Sequence, residues 1–174
     1  VRERYGIGNR KMIFAVAAGL ALRKGRDYLL RLPEMLNDDE VLVLVGLQKG
    51  QEKLLPDTSK IIGIHRTKTA DELVGLYSEA DVFINPTLED NFPTTNIEAL
   101  ACGTPVITYL SGGSPESVSS ECGFVTIRKS AREIFEAISN NCMFSSEVCR
   151  SAAVTMYSKE KFAKEYINLY RQLV

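Results

Sequence analysis

The chain has 174 residues, enough for one domain with a substantial core. Its composition, 45% hydrophobic and 25% charged, is that of a globular protein rather than a disordered or fibrous one. A net charge of −1 leaves no electrostatic footprint for nucleic acid or an anionic membrane, and no apolar run approaches the roughly 20 residues of a membrane span. Cys102, Cys122, Cys142 and Cys149 show no C-x2-C spacing and there is a single His, which argues against a zinc site and for reduced thiols. The chain opens at Val1 without Met or a signal peptide, the expectation for a piece of a longer protein.

Val1 to Arg10 is polar, with Arg2, Arg4 and Arg10, and reads as a linker; a basic patch is the alternative. Met12 to Ala18 is a continuous apolar run and predicts a buried strand. The loop Gly19-Leu-Ala-Leu-Arg-Lys-Gly25 follows, and a helix is expected over Asp27 to Leu36, kinked or broken by Pro33. Arg23 and Lys24 on this loop are read either as ligands for a diphosphate or as two solvated cations. Val41 to Gly46 predicts a strand covered on both faces, and Gln48 to Leu55 a short helix ended by Pro56. Ile61 to Ile64 is the next strand, with His65 and Arg66 on the loop after it. Thr69-Ala-Asp-Glu72 is a capping pattern that opens a helix with Leu73, Leu76 and Tyr77 inward.

Ala80 to Asn85 predicts a short buried strand, and the loop Pro86 to Pro93 carries Glu89 and Asp90. A helix is expected from Thr94 or Thr95 to Cys102, stopped by Gly103, with Val106 to Tyr109 as the following strand. Strand, acidic loop, helix, strand is the layout of a parallel sheet, whose ligands sit at the carboxyl ends of the strands. A helix start there suits a phosphate. Thr95-x-x-Glu98 also matches a capping box, which would give Glu98 a purely structural role. Farther on, Ser114 is expected to cap a helix with Pro115 at its first position, and Gly112-Gly113 to form a plain turn. Gly123 to Ile127 predicts a last strand, and helices are expected over Ala131 to Cys142 and Ser145 to Met156. Ser158 is expected to cap a helix over Lys159 to Leu173, with an apolar stripe of Phe162, Tyr166, Leu169, Tyr170 and Leu173. The stripe is read as core or domain contact, with a membrane-binding face as the alternative. The expected fold is a Rossmann-like α/β three-layer sandwich with about six parallel strands. No G-x-G-x-x-G follows the first strand, which disfavours a dinucleotide-binding oxidoreductase.

Asp90-x7-Glu98 followed by Ala-Leu-Ala-Cys-Gly-Thr-Pro-Val106 resembles the E-x7-E signature of group 1 retaining glycosyltransferases with the two-domain GT-B fold. The likeness runs from about Lys11 to the end and is to the C-terminal, donor-binding half. The resemblance implies a nucleotide-diphosphate sugar as donor (UDP-, GDP- or ADP-linked), no metal and no other cofactor. It implies transfer to an acceptor hydroxyl in polysaccharide or glycolipid synthesis. Asp90 is matched to the acid that contacts the sugar, with Glu89 one residue out of register. Glu98 is matched to the acid that holds the ribose, Lys24 to a phosphate-binding lysine beyond Gly19, and His65 to the loop that cups the base. Asn91, Phe92, Pro93, Thr94 and Thr95 match the turn around the donor, with Phe92 packing rather than stacking. Leu20 stands where the family commonly has Arg, and Pro93 where it often has Gly. The resemblance further implies an N-terminal acceptor domain as partner, a cytoplasmic location and peripheral association with the inner membrane face. A non-catalytic nucleotide-sugar-binding module and a sugar-nucleotide epimerase are the alternatives.

Overall fold

Glu40 to Val45 offers apolar side chains to both sides of an extended chain, so both faces of the strand must be covered. The computed structural model, which describes residues 1–140 and 144–172, covers them with two helical layers. Six strands form one parallel sheet: β1 (Lys11–Val16), β2 (Glu40–Val45), β3 (Ile61–Ile64), β4 (Val82–Asn85), β5 (Val106–Tyr109) and β6 (Gly123–Thr126). Their order is β3-β2-β1-β4-β5-β6. β1 and β2 align from Lys11 opposite Glu40 to Val16 opposite Val45, and β1 meets β4 with Phe14 opposite Phe83.

Side-chain alternation divides the core in two. Met12, Phe14, Val41, Val43 and Val45 face one way. There they meet Leu76 and Tyr77 of α2 (Ala70–Glu79), Ala99 and Leu100 of α3 (Thr94–Ala101), and Cys149 and Ala153 of α5 (Ser146–Tyr157). Ile13, Ala15, Leu42 and Leu44 face the other way, onto Leu29 of α1 (Arg26–Arg31) and Ile134 and Ile138 of α4 (Ala131–Ser139). The three-layer expectation holds.

Local departures from the sequence reading have local causes. Proline has no N–H to give to an α-helical turn, and α1 tightens at Pro33 into a 3-10 turn over Leu32–Glu34. The expected helix over Gln48 to Leu55 is only a 3-10 turn, Gln51–Leu54, entered through Gly50 at a φ of 90°. Ser114 is not a cap: Gly113 holds that position, and Ser114 begins a 3-10 turn with its hydroxyl buried and unpartnered. Ile127 lies outside β6 and is exposed. Phe135 is only partly buried, beside Ile134 and Ile138. The first ten residues lie along α2, with Ile7 buried, the Tyr5 hydroxyl donating to Glu72, and Arg2 paired with Glu79 and Asp81. α6 (Lys159–Gln172) buries none of its residues; Phe162, Tyr166, Leu169 and Tyr170 are exposed, so the stripe is not core. Leu173 and Cys142 lie outside the described residues, and Cys102, Cys122 and Cys149 are free thiols.

Candidate functional site

In an open parallel sheet, loops diverge where the strand order reverses and leave a crevice beyond the carboxyl ends of the strands. Here the reversal falls between β1 and β4, which places the loop holding Lys24 beside the loop holding Asp90. The β1 loop is strained at its start: Ala18, Gly19 and Leu20 have φ of 44°, 70° and 48° in succession. Left-handed backbone at two non-glycine residues is held only where the surroundings over-determine it. The Leu20 side chain is buried, and Gln51 Nε2 donates to the Gly19 carbonyl at 2.7 Å.

The two loops are then joined directly. Gly25 has a φ of 80°, and a Cβ there would stand 2.1 Å from the Pro86 carbonyl oxygen. The Arg23 carbonyl accepts from Leu88 N at 2.7 Å and from Thr87 Oγ1 at 3.2 Å. Fixed in this way, the Lys24 ammonium forms an ion pair with the Asp90 carboxylate, the two side chains only 18% and 14% exposed. Asp90 Oδ1 also accepts from Phe92 N at 3.2 Å. Glu89 is exposed, so Asp90 is the acid that meets Lys24. Arg23, Glu89, Asp90, Asn91 and Phe92 line a cleft of about 410 Å³. Phe92 packs edge-on against Tyr157, the last residue of α5, with ring centroids 5.7 Å apart.

Behind the acidic loop, Gly112-Gly113 makes close contact with its backbone. Gly113 N donates to the Asp90 carbonyl at 3.1 Å. A Cβ on Gly112 would lie 2.0 Å from that oxygen, and one on Gly113 would lie 1.9 Å from the Asn91 oxygen. The plain turn read from the sequence is thus also the seat of the loop.

α3 starts at Thr94, with Pro93 as its cap residue and no side-chain cap. Its first turn keeps unsatisfied N–H groups and the positive end of the helix dipole. The capping box of Thr95 and Glu98 does not form, because Thr95 is already inside the helix. Glu98 is exposed, and its Oε2 accepts from the Tyr77 hydroxyl at 2.9 Å. Burial, and then the Glu98 charge, push the Tyr77 phenol far above its ordinary range, so it stays a donor. Asn96 is fully buried: it accepts from Asn85 Nδ2 at 2.8 Å and donates to Ser117 Oγ at 2.9 Å. These bonds tie α3 to β4 and to the turn after Gly113.

His65 is not brought to the Lys24–Asp90 pair. It lies past β3 at the sheet edge, its Nδ1 3.2 Å from the Leu47 carbonyl and its Nε2 3.6 Å from Glu52. Among the described residues, no group of three His, Cys, Asp or Glu side chains is arranged to hold a metal ion. None of their helices is long and apolar enough to cross a membrane. Sequence reasoning missed Tyr77 as the partner of Glu98 and Asn96 as the tie between layers. The only signal was a polar atom at a position the helical period marks as buried.

Comparisons with known proteins point the same way. The family model described as "Glycosyl transferases group 1" matches residues 1–141. A GDP-mannose-dependent alpha-(1-6)-phosphatidylinositol monomannoside mannosyltransferase of Mycolicibacterium smegmatis is 35% identical over 133 residues, covering 68% of this chain and 35% of that protein. A D-inositol 3-phosphate glycosyltransferase of Mycobacterium sp. (strain KMS) is 32% identical over 127 residues, covering 67% of this chain and 29% of that protein. The chain therefore spans about a third of the length of these relatives. Anabaena Alr3699/HepE in complex with UDP superposes with a TM-score of 0.80 at 16% identity, covering 98% of this chain and 51% of that one. Sucrose-phosphate synthase of Thermosynechococcus elongatus gives 0.79 at 23% identity, covering 99% of this chain and 48% of that one. These two likenesses concern the fold, the Rossmann-like domain of GT-B glycosyltransferases. The chain belongs to the group 1 family of glycosyl transferases.

Proposed function

We propose that this chain is the donor-binding half of a retaining glycosyltransferase. The observation that carries the reading is the meeting of Lys24 and Asp90 at the sheet's reversal point, beside a helix start that no side chain caps. The donor diphosphate lies over the first turn of α3 and takes the Lys24 ammonium, with Arg23 at the rim. Glu98 accepts from the vicinal hydroxyls of the ribose, and its bond from Tyr77 fixes the carboxylate that receives them. Asp90 and Asn91 face the sugar, and Glu89 stays at the cleft edge. As the bond between sugar and phosphate breaks and the acceptor hydroxyl takes the sugar, charge builds on the leaving diphosphate, and Lys24 and the helix dipole stabilise it. The reading needs no divalent cation. UDP in the HepE complex and GDP-mannose in the name of the mycobacterial relative make uridine and guanosine diphosphates the first bases to try.

An N-terminal acceptor domain completes the enzyme in this reading. The exposed stripe on α6 and the chain's share of its relatives support that. Work in the cytoplasm at the inner membrane face, on a polysaccharide or glycolipid acceptor, belongs to the same proposal. One observation favours a second reading, a binding module without catalysis. Leu20 is buried where group 1 enzymes commonly carry Arg, which leaves the phosphate site one cation short.

Calorimetric titration of the intact protein with UDP, GDP and ADP, with and without EDTA, tests the first reading. One base should bind saturably and independently of EDTA, and Lys24→Ala should weaken it by about tenfold or more, the scale of a lost hydrogen bond to a charged group. Binding without sugar transfer in product analysis would favour the second reading. Binding to none would overturn both.

A further inference from the structure

On the reading just given, Lys24 is the diphosphate's cation, yet it already has a partner. We propose that Asp90 sets the specificity of this site against the bare nucleoside diphosphate, by competing with the phosphates for Lys24. The Asp90 carboxylate and the Lys24 ammonium are paired in a setting less than a fifth exposed. Both are anchored through the backbone of their loops. Gly113 N holds the Asp90 carbonyl, Phe92 N holds Oδ1, and the close approach of Gly112-Gly113 fixes the backbone between them. On the other side, Gly25 against Pro86 and the Arg23 carbonyl on Leu88 N fix the turn that carries Lys24.

A diphosphate that arrives must take the ammonium from a carboxylate that stays where it is. The two like charges then stand side by side, which is unfavourable wherever water is scarce. The cost differs between substrate and product. In the donor, the terminal phosphate is esterified by the sugar and carries less negative charge than the free terminal phosphate of the product. The donor also brings the hydroxyls of its sugar, from which Asp90 accepts once Lys24 has been taken, and the product has lost that sugar. Both effects penalise the product more than the donor. Asp90 thereby speeds the emptying of the site after transfer.

The test is titration of the intact protein and its Asp90→Asn variant with UDP, GDP and ADP. Asn keeps the side-chain shape and the oxygen that accepts from Phe92 N. The variant should bind the preferred diphosphate about three- to tenfold more tightly, the scale of losing one competing ion pair. The affinity ratio between the matching nucleotide sugar and the bare diphosphate should fall with it. In a Lys24→Ala background the gain should shrink, since only direct repulsion remains. Asp90→Ser, which also retains an acceptor for Phe92 N, serves as the second variant if Asn impairs folding. Equal or weaker diphosphate binding by Asp90→Asn, with wild type binding normally, would overturn this inference alone. So would an undiminished gain without Lys24. Absence of binding in every variant would sink the proposed function and this inference together.

Discussion

α2 and α3 open on the same four-residue pattern, Thr-x-x-Glu, and use it in opposite ways. At α2, Thr69 is the cap: its hydroxyl accepts from Glu72 N at 3.1 Å, and the Glu72 carboxylate turns back to Lys68 N and the Tyr5 hydroxyl. Every acceptor there is engaged, and Glu72 is buried. At α3, Pro93 takes the cap position, Thr95 falls inside the helix, and Glu98 reaches away to Tyr77. One helix start is closed by its own residues, and the other is left open toward the cleft. A capping pattern in sequence therefore says where a helix can begin, and the residue before it decides whether the cap forms.

Three substitutions sharpen this contrast, from the largest expected effect to the smallest. Glu98→Gln should weaken nucleotide affinity by about 1.5–3 kcal/mol, the scale of a hydrogen bond to a charged group, with the melting temperature unchanged. Affinity equal to wild type in calorimetry would return Glu98 to a structural role. Thr69→Ala should lower unfolding stability by about 1 kcal/mol in urea titration and leave nucleotide affinity alone, since the hydroxyl it removes is engaged in the cap of its own helix. Thr95→Ala should move stability by less than about 0.5 kcal/mol, as befits a residue inside a helix rather than at its cap. A cost as large as that of Thr69→Ala would mean that the two helices start alike after all.

The strands were legible because each is a continuous apolar run bounded by turn residues, and β2 in particular admits no other reading. The stop of α3 at Gly103 was legible for the same local reason: its φ of 83° suits glycine. What escaped was whatever depends on the sheet order. Lys24 and Asp90 stand 66 residues apart and meet only because β1 and β4 are neighbours. Tyr77 and Glu98 belong to different helices, and nothing local to either announces the bond between them. Which of Glu89 and Asp90 meets Lys24 likewise depends on the loop's path, which Gly112-Gly113 determines from 22 residues farther along the chain. The break at Pro33 was legible from the proline itself, whereas Gln48 to Leu55 reads as a short helix and forms only a 3-10 turn, Gln51–Leu54, entered through Gly50 in the left-handed region.

The backbone contact between Gly112-Gly113 and the acidic loop has a bearing on how such a site changes over generations. Any side chain at either glycine would collide with a carbonyl of the loop, so the route of the chain from Asp90 to Phe92 is locked. Phe92 is held against Tyr157, whereas the outward side chains at Glu89 and Asn91 carry no such restriction, since both are exposed. Single mutations there redraw the lining of the cleft without shifting its walls. On the proposed reading of the cleft, a lineage can exchange one sugar for another by small steps on a track that itself stays put.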